Sequence, residues 1–311
     1  MPFTEAGNAA VTRTELDSVF YQAFEYADTF PGQATANDAE LFIPINTDHS
    51  GYFYEVYMGV GFYQNTGETQ NVATSTPQIT NKTFVAVADF TNGVYLSKDL
   101  FDDNMHGVWA ATVADMARMA RVTQDKNAFQ IFRGAFTTTL TPDGNALCST
   151  HTLIQGTTTT NTYSGATSAL SDTSLNTAII ALRQQPNQRG ITLGGVPSIL
   201  LVPSGLFKLA IQLTDSALVA DSSNNAINIY RSAYGFKVST SIWLDSVNGG
   251  SDTAWFLLSK NHGIRRLIRQ GLETNFRDWS YSDNREYFYQ ANYREQYFAQ
   301  DYGGVVGFVG V

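Results

Sequence analysis

The 311-residue sequence has little cysteine, little charge and no long apolar run. Its single cysteine, Cys148, excludes an intrachain disulfide and fits a reducing compartment. Charged residues make up 15% of the chain, against about 25% in an ordinary soluble domain. So thinly charged a surface points to partners covering much of it. No apolar stretch approaches the roughly 18 residues of a membrane span. Met1 to Ala10 lack the basic and apolar regions of a signal peptide. His49, His106 and His262 show no metal-ligand spacing to Cys148 or to each other. There is no phosphate loop: Gly59-Val60-Gly61 lacks the third glycine and the following helix of a dinucleotide fingerprint. Asn81-Lys82-Thr83 matches a glycosylation sequon, which has no meaning in the cytosol.

What is present is a globular chain, 43% hydrophobic, long enough for about two domains. Its net charge of -9 is unevenly placed. Residues 1–100 hold twelve acidic side chains against three basic ones, and the rest of the chain balances. Arg265, Arg266, Arg269, Arg277, Arg285 and Arg294 crowd the last fifty residues. An acidic front and an arginine-rich tail suggest complementary surfaces, within one chain or between copies, with ordinary solubility charge as the alternative.

The longest periodic stretch is Phe101 to Phe136. Asp102 and Asp103 stand where a helix N-terminus favours acids; either could meet a cation, but the cap role suffices. Met105, Val108, Trp109, Val113, Met116, Met119 and Ala120 then recur at spacings of three and four. The pattern predicts a helix from about 102 to 123, a break at Gln124-Asp125-Lys126, and a second short apolar run stopped by Gly134. This is the spine of the chain. Before it, Leu16, Val19, Phe20, Ala23 and Phe24 predict a short helix behind Thr14, ended by Pro31-Gly32 and set in an extended arm. Tyr52 to Gln64 and Thr83 to Asp89 alternate as strands on either side of a polar stretch, which predicts a long hairpin.

After the spine, Asp143-Gly144 signals a turn, and Gly156 to Ser168 reads as a flexible loop. Ser171 caps a helix carrying Leu175, Ala178, Ile179 and Leu182, which Pro186 stops. Pro197 to Val202 is a buried strand, and Ser204 opens another helix. Gly235 to Leu244 and Ala254 to Ser259 read as strands, making residues 150 to 245 a compact α/β insertion. In Tyr287 to Ala299 alternate positions are mostly tyrosine, a strand with an aromatic face. Aromatics interleaved with arginine also bind single-stranded nucleic acid, but the overall acidity disfavours that reading.

Chemistry is scarce. Cys148 and His151 lie three apart with Asp143 upstream. A nucleophilic thiolate needs a base in reach and an orienting third group, which proximity in sequence does not supply. No catalytic, cofactor-binding or metal-binding residue is assigned.

The order of parts resembles the major capsid proteins of tailed bacteriophages, with their Hong Kong ninety-seven type fold, and most nearly the Mu-type major head subunits. The likeness runs through Ala117 to Phe136 (ARMARVTQDKNAFQIFRGAF), Asp143 to His151, Leu170-Ser171-Asp172, Leu200-Leu201-Val202-Pro203 and Asn224-Asn225. It closes with Trp255-Phe256-Leu257 and Asp301 to Gly307. Cys148 departs from the phenylalanine such proteins often carry. The resemblance implies an α+β fold with an N-terminal arm (1–48) and an extended β-hairpin loop (49–97). A peripheral domain is built from the spine helix (98–147) and the tail (251–311), and an α/β axial domain spans 148–250. No long helical segment precedes the arm, which implies a separate scaffolding protein or a processed or short start.

The implied function is structural, not enzymatic, with no cofactor. Copies form hexamers and pentamers of an icosahedral head that encloses double-stranded DNA. Scaffolding, portal and decoration proteins are the implied partners, no membrane is involved, and assembly takes place in the host cytoplasm before the protein resides in the virion. An encapsulin-like compartment holding a protein cargo is the alternative, and a Cys148-dependent hydrolase is a third reading. Candidate inter-subunit residues are Glu55, Glu68 and Lys82 on the loop, and Arg265, Arg266 and Arg269 on the tail. The acidic arm and loop of one subunit are expected over the arginines of a neighbour, and charge reversal of the three arginines to block assembly without unfolding. Lys82 is also the one loop lysine placed for a covalent cross-link of the kind some relatives form.

Overall fold

The computed structural model describes residues 5–25, 30–68, 70–72, 74–99, 106–217, 227–281 and 284–311. The proposed cap at Asp102-Asp103, Met105 and the Asn224-Asn225 motif lie outside them.

The spine is one unbroken helix, α2 (His106–Arg133), about 42 Å long at 1.5 Å per residue. The predicted break at Gln124-Asp125-Lys126 is absent. The first two turn inward instead: Gln124 and Asp125 are buried while Lys126 stays exposed, and the Asp125 carboxylate accepts the backbone N–H of Ala36 at 2.6 Å. A polar triplet that reads as a loop is here a helical anchor for the segment entering the body.

The first helix, α1 (Glu5–Glu25), is also longer than predicted and runs through Thr14 rather than starting behind it. Leu16 and Phe20 are buried against Trp109, Val113 and Met116 of α2 and against Tyr287 and Tyr289. The Asp17 carboxylate accepts hydrogen bonds from Thr274 Oγ1 and the Tyr289 hydroxyl, at 2.7 and 2.8 Å.

Two sheets flank the spine. The long one orders β1 (Ile43–Asn46), β11 (Ile264–Arg277), β12 (Glu286–Ala299) and β4 (Ala88–Ser97). β12 buries alternate residues along its length, as its aromatic period requires. β4 was not foreseen; it pairs antiparallel with β12 from Ser97↔Glu286 to Ala88↔Glu295.

The second sheet orders β7 (Thr162–Tyr163), β13 (Val305–Phe308), β10 (Trp255–Ser259), β8 (Pro197–Val202) and β9 (Lys237–Thr240). It joins strands from the 150–245 stretch to two strands of the tail. The expected flexible loop from Gly156 to Ser168 contributes β7 and also β6 (Thr158–Thr160), which pairs with β5 (Thr150–Thr152). The strand read at Gly235 to Leu244 is shorter, four residues followed by a 3-10 turn. Helix α3 (Asp172–Gln184) starts at Ser171 with a reciprocal cap between Ser171 and Ser174. It buries Leu175, Ala178, Ile179 and Leu182 on Leu200, Trp255 and Phe308. A short helix, α4 (Phe207–Thr214), follows a 3-10 turn at Ser204.

The main core lies where the second half of α2 meets both sheets. Phe129 and Phe132 pack edge-on against Phe42, and Phe132 against Phe256. The hairpin, β2 (Gly51–Met58) with β3 (Gln78–Ala86), leaves this body, rooted by Tyr54 on Phe298 with ring centroids 5.0 Å apart.

Candidate functional site

Cys148 and His151 make the first test, and the geometry removes them from catalysis. Cys148 is 2% exposed, and burial pushes its thiol well above the ordinary range. Its sulfur packs on the backbone of Gly307, where a Cβ would sit 2.6 Å from Sγ, so only glycine fits beneath it. His151 is fully buried, with Nδ1 2.7 Å from Asp143 Oδ2 and Nε2 3.3 Å from the carbonyl of Leu147. Both ring nitrogens thus face acceptors other than the thiol. The ring stacks on Tyr302 at 4.0 Å.

Asp143 anchors this knot. Burial raises its carboxyl, but hydrogen bonds from His151, Thr141 and Asn145 outweigh that and hold it well below the ordinary value. Gly144 takes the left-handed conformation that the Asp143-Gly144 turn requires, at φ 80°. Asn161 completes the join, bonding the carbonyls of Leu147 and Val305 and the N–H of Ser149. Among the described residues no group of three or more His, Cys, Asp or Glu side chains is placed to hold a metal. Nor is any helix among them long and apolar enough to cross a membrane.

The chemistry of the surface lies on the hairpin. Its two faces differ because strand residues alternate. Tyr54, Val56 and Met58 are buried, while Phe53 and Tyr57 on the outer face are 60% and 56% exposed. Across the ladder Phe53 pairs with Phe84 and Tyr57 with Ile79, both partners also exposed. Glu55 and Lys82 form an ion pair at 3.5 Å on the same hairpin, and the Lys82 ammonium sits 5.0 Å over the Phe53 ring. Glu68 is exposed near the tip, beyond Phe62 and Tyr63, which are also exposed.

The tail arginines are differently placed. Arg265 Nε donates to Gln300 Oε1 at 2.8 Å, and its side chain lines the gap beneath the hairpin that Glu55 also lines. Arg266 bonds Glu295 Oε2 at 2.6 Å, with Glu295 itself 2% exposed, and also reaches Asn37. Arg269 is half-buried. The cluster therefore spends part of its charge inside the subunit, and Glu68 is not bonded to it. Sequence reasoning passed over Glu295, Asn161 and Arg189, and read Asp125 only as part of a helix break. Only Asp125 carried a signal, as a polar residue inside a strong helical period.

A family model described as phage capsid protein matches residues 80–306. The chain belongs to the phage capsid protein family. It is a structural capsid protein, as the members of that family are. No curated protein matches it by sequence. Solved structures share the fold. A chain from Microbacterium phage Oxtober96 superposes with a TM-score of 0.55 at 12% identity, covering 91% of this chain and 94% of that one. The capsid of Myoviridae phage XM1 gives 0.54 at 12% identity, with 92% and 94% covered. A virus-like particle from Pyrococcus furiosus gives 0.52 at 6% identity, with 95% and 98% covered. The α+β capsid architecture thus persists where sequence identity is nearly gone.

Proposed function

We propose that this capsid protein is the major head subunit of a tailed phage, assembling as hexamers and pentamers into an icosahedral shell around double-stranded DNA. The observation that carries the reading is the outer face of the hairpin. Phe53, Tyr57, Ile79 and Phe84 form an exposed apolar surface on a projecting two-stranded ribbon. An isolated hairpin is marginally stable in water, and exposed apolar surface gains about 25 cal/mol per Å² on burial. A second copy of the chain is the natural cover, because repeated heterologous contacts close into shells.

In this reading residues 1–48 are the arm, 49–97 the extended loop, 148–250 the axial domain, and 98–147 with 251–311 the peripheral domain. The loop with Glu55, Glu68 and Lys82 lies across the neighbour near Arg265, Arg266 and Arg269. Scaffolding, portal and decoration proteins complete the particle, which forms in the host cytoplasm and matures into the virion. The second reading, an encapsulin-like compartment with protein cargo, is favoured by the likeness to a virus-like particle from Pyrococcus furiosus. Negative-stain electron microscopy of the purified protein, alone and co-expressed with its scaffold, tests both. Shells holding nuclease-protected DNA support the head. Shells holding a protein cargo support the compartment, and a chain that stays monomeric in both preparations refutes both.

A further inference from the structure

The hairpin is held to its own body at two places of opposite chemistry. Its root is apolar: Tyr52, Tyr54 and Val85 pack with Leu267 and Phe298. Its far end is polar. Beyond the last ladder pair, Met58↔Gln78, the Arg189 guanidinium spans both strands. Arg189 Nε donates to the carbonyl of Gly59 and a terminal nitrogen to the carbonyl of Thr76, each at 2.9 Å.

Between root and clamp lies a gap of about 620 Å³, lined by Glu55 to Tyr57 on one side and by residues 185–187, 193–196, 300–301 and 303–304 on the other. The gap runs along the ribbon, whose inner residues Val56 and Met58 are buried, and Arg189 holds the ribbon's far end. The clamp is built rather than incidental. Asn187 Oδ1 accepts the backbone N–H groups of Arg189 and Ile191, both at 3.0 Å, and Asn187 N–H bonds the carbonyl of Ile191. This tight turn projects Arg189 whatever its side chain does.

We propose that Arg189 is a latch: it holds the extended hairpin down on its own subunit before assembly and is released when the ribbon's outer face engages a second copy. A hydrogen-bonded clamp at a half-exposed site exchanges its partners for water at small net cost, whereas an apolar pin does not. The gap leaves the ribbon room to move about its aromatic root. The release half rests on the shell reading above; the clamp itself does not.

The test is hydrogen–deuterium exchange on the free full-length subunit, comparing wild type, Arg189→Ala and Arg189→Lys, followed by light scattering of assembly across protein concentration. In Arg189→Ala the amides of residues 56–58 and 78–80 are expected to exchange about tenfold faster, the scale of one charge-assisted hydrogen bond. Strand β10 at 255–259 keeps its protection. Arg189→Lys, which retains charge but loses the fork, falls between. Shells of Arg189→Ala are expected at a protein concentration several-fold lower than wild type, because no latch must open. Unchanged exchange at the hairpin, or faster exchange everywhere, overturns the clamp. Faster hairpin exchange with assembly that needs more protein overturns the release and makes Arg189 a permanent brace. If wild type forms shells neither alone nor when co-expressed with its scaffold while the hairpin amides respond, the shell reading fails and the clamp stands.

Discussion

Arg266 and Glu295 bond diagonally across β11 and β12, 2.6 Å apart, with the glutamate 2% exposed. Neighbouring them, Asp125 on the spine has its carboxyl raised by burial, against the pull of the Ala36 N–H and of Arg121 and Arg266. The pair sits where the spine, the long sheet and the segment at Ala36 and Asn37 meet.

This pair sets how the arginine cluster is to be probed. Removing one partner of a buried pair leaves an unpaired charge, costing about 3–5 kcal/mol. Arg266→Met is expected to lose roughly that in urea unfolding, and adding Glu295→Leu to restore much of it. Reversal of all three arginines would then impair folding as well as assembly. Arg269→Glu alone is the cleaner test, with unfolding midpoint unchanged and shells lost if the tail receives a neighbour's acidic loop.

The hairpin face separates assembly from stability more sharply. Phe53→Ser with Phe84→Ser removes exposed apolar surface and one ring pair. Thermal unfolding of the free subunit is expected to change by less than about 1.5 kcal/mol, while light scattering shows no shells. Normal shells from this variant would remove the hairpin's outer face from the interface.

The Asp143–His151 knot carries an acid dependence. Asp143 is depressed below its ordinary value of 3.8, so the folded state binds fewer protons than the unfolded state in the window below that value. Its stabilisation is fully present above about pH 4 and is lost as pH falls through the depressed folded value. Asp143→Asn is expected to flatten the loss of stability between about pH 4 and 2. It should also cost roughly 1.5–3 kcal/mol at neutral pH, the scale of a hydrogen bond to a charged group. Urea midpoints measured across pH check both effects.

Cys148 is a probe of folding rather than of catalysis. Buried and raised well above the ordinary thiol range, it is expected to resist iodoacetamide in the native state and to react at the rate of global unfolding. Labelling of the native subunit at the rate of a free thiol would contradict its placement against Gly307.

Local patterns were the legible part. The reciprocal cap at Ser171, the buried face of α3 and the alternation of β12 follow from signals within about fifteen residues or from strict periods, whereas the hairpin's strands were read only by place: the first stops at Met58 rather than Gln64, and the second runs from Gln78 to Ala86. β4 escaped because Asp89-Phe90-Thr91-Asn92-Gly93 has weak strand propensity; β12 recruits it through paired backbone groups, with Phe90 stacked on Tyr293 and Asp89 bonded to Arg294. Arg189 escaped for a different reason. It bonds backbone carbonyls 130 and 113 residues away, and a carbonyl has no residue type to recognise.

By itself, then, the sequence determined the order of parts and the apolar faces that would be buried, because helix and strand periods are properties of neighbouring residues. Tertiary structure decided what happens at polar positions. It kept the spine unbroken by giving Asp125 the N–H of Ala36, and it drew β10 and β13 from the tail into the sheet of the inserted unit. It also spent Arg266 on Glu295 rather than leaving it for a neighbour. Buried polar groups must find partners wherever the fold brings them, and their partners lie far away along the chain.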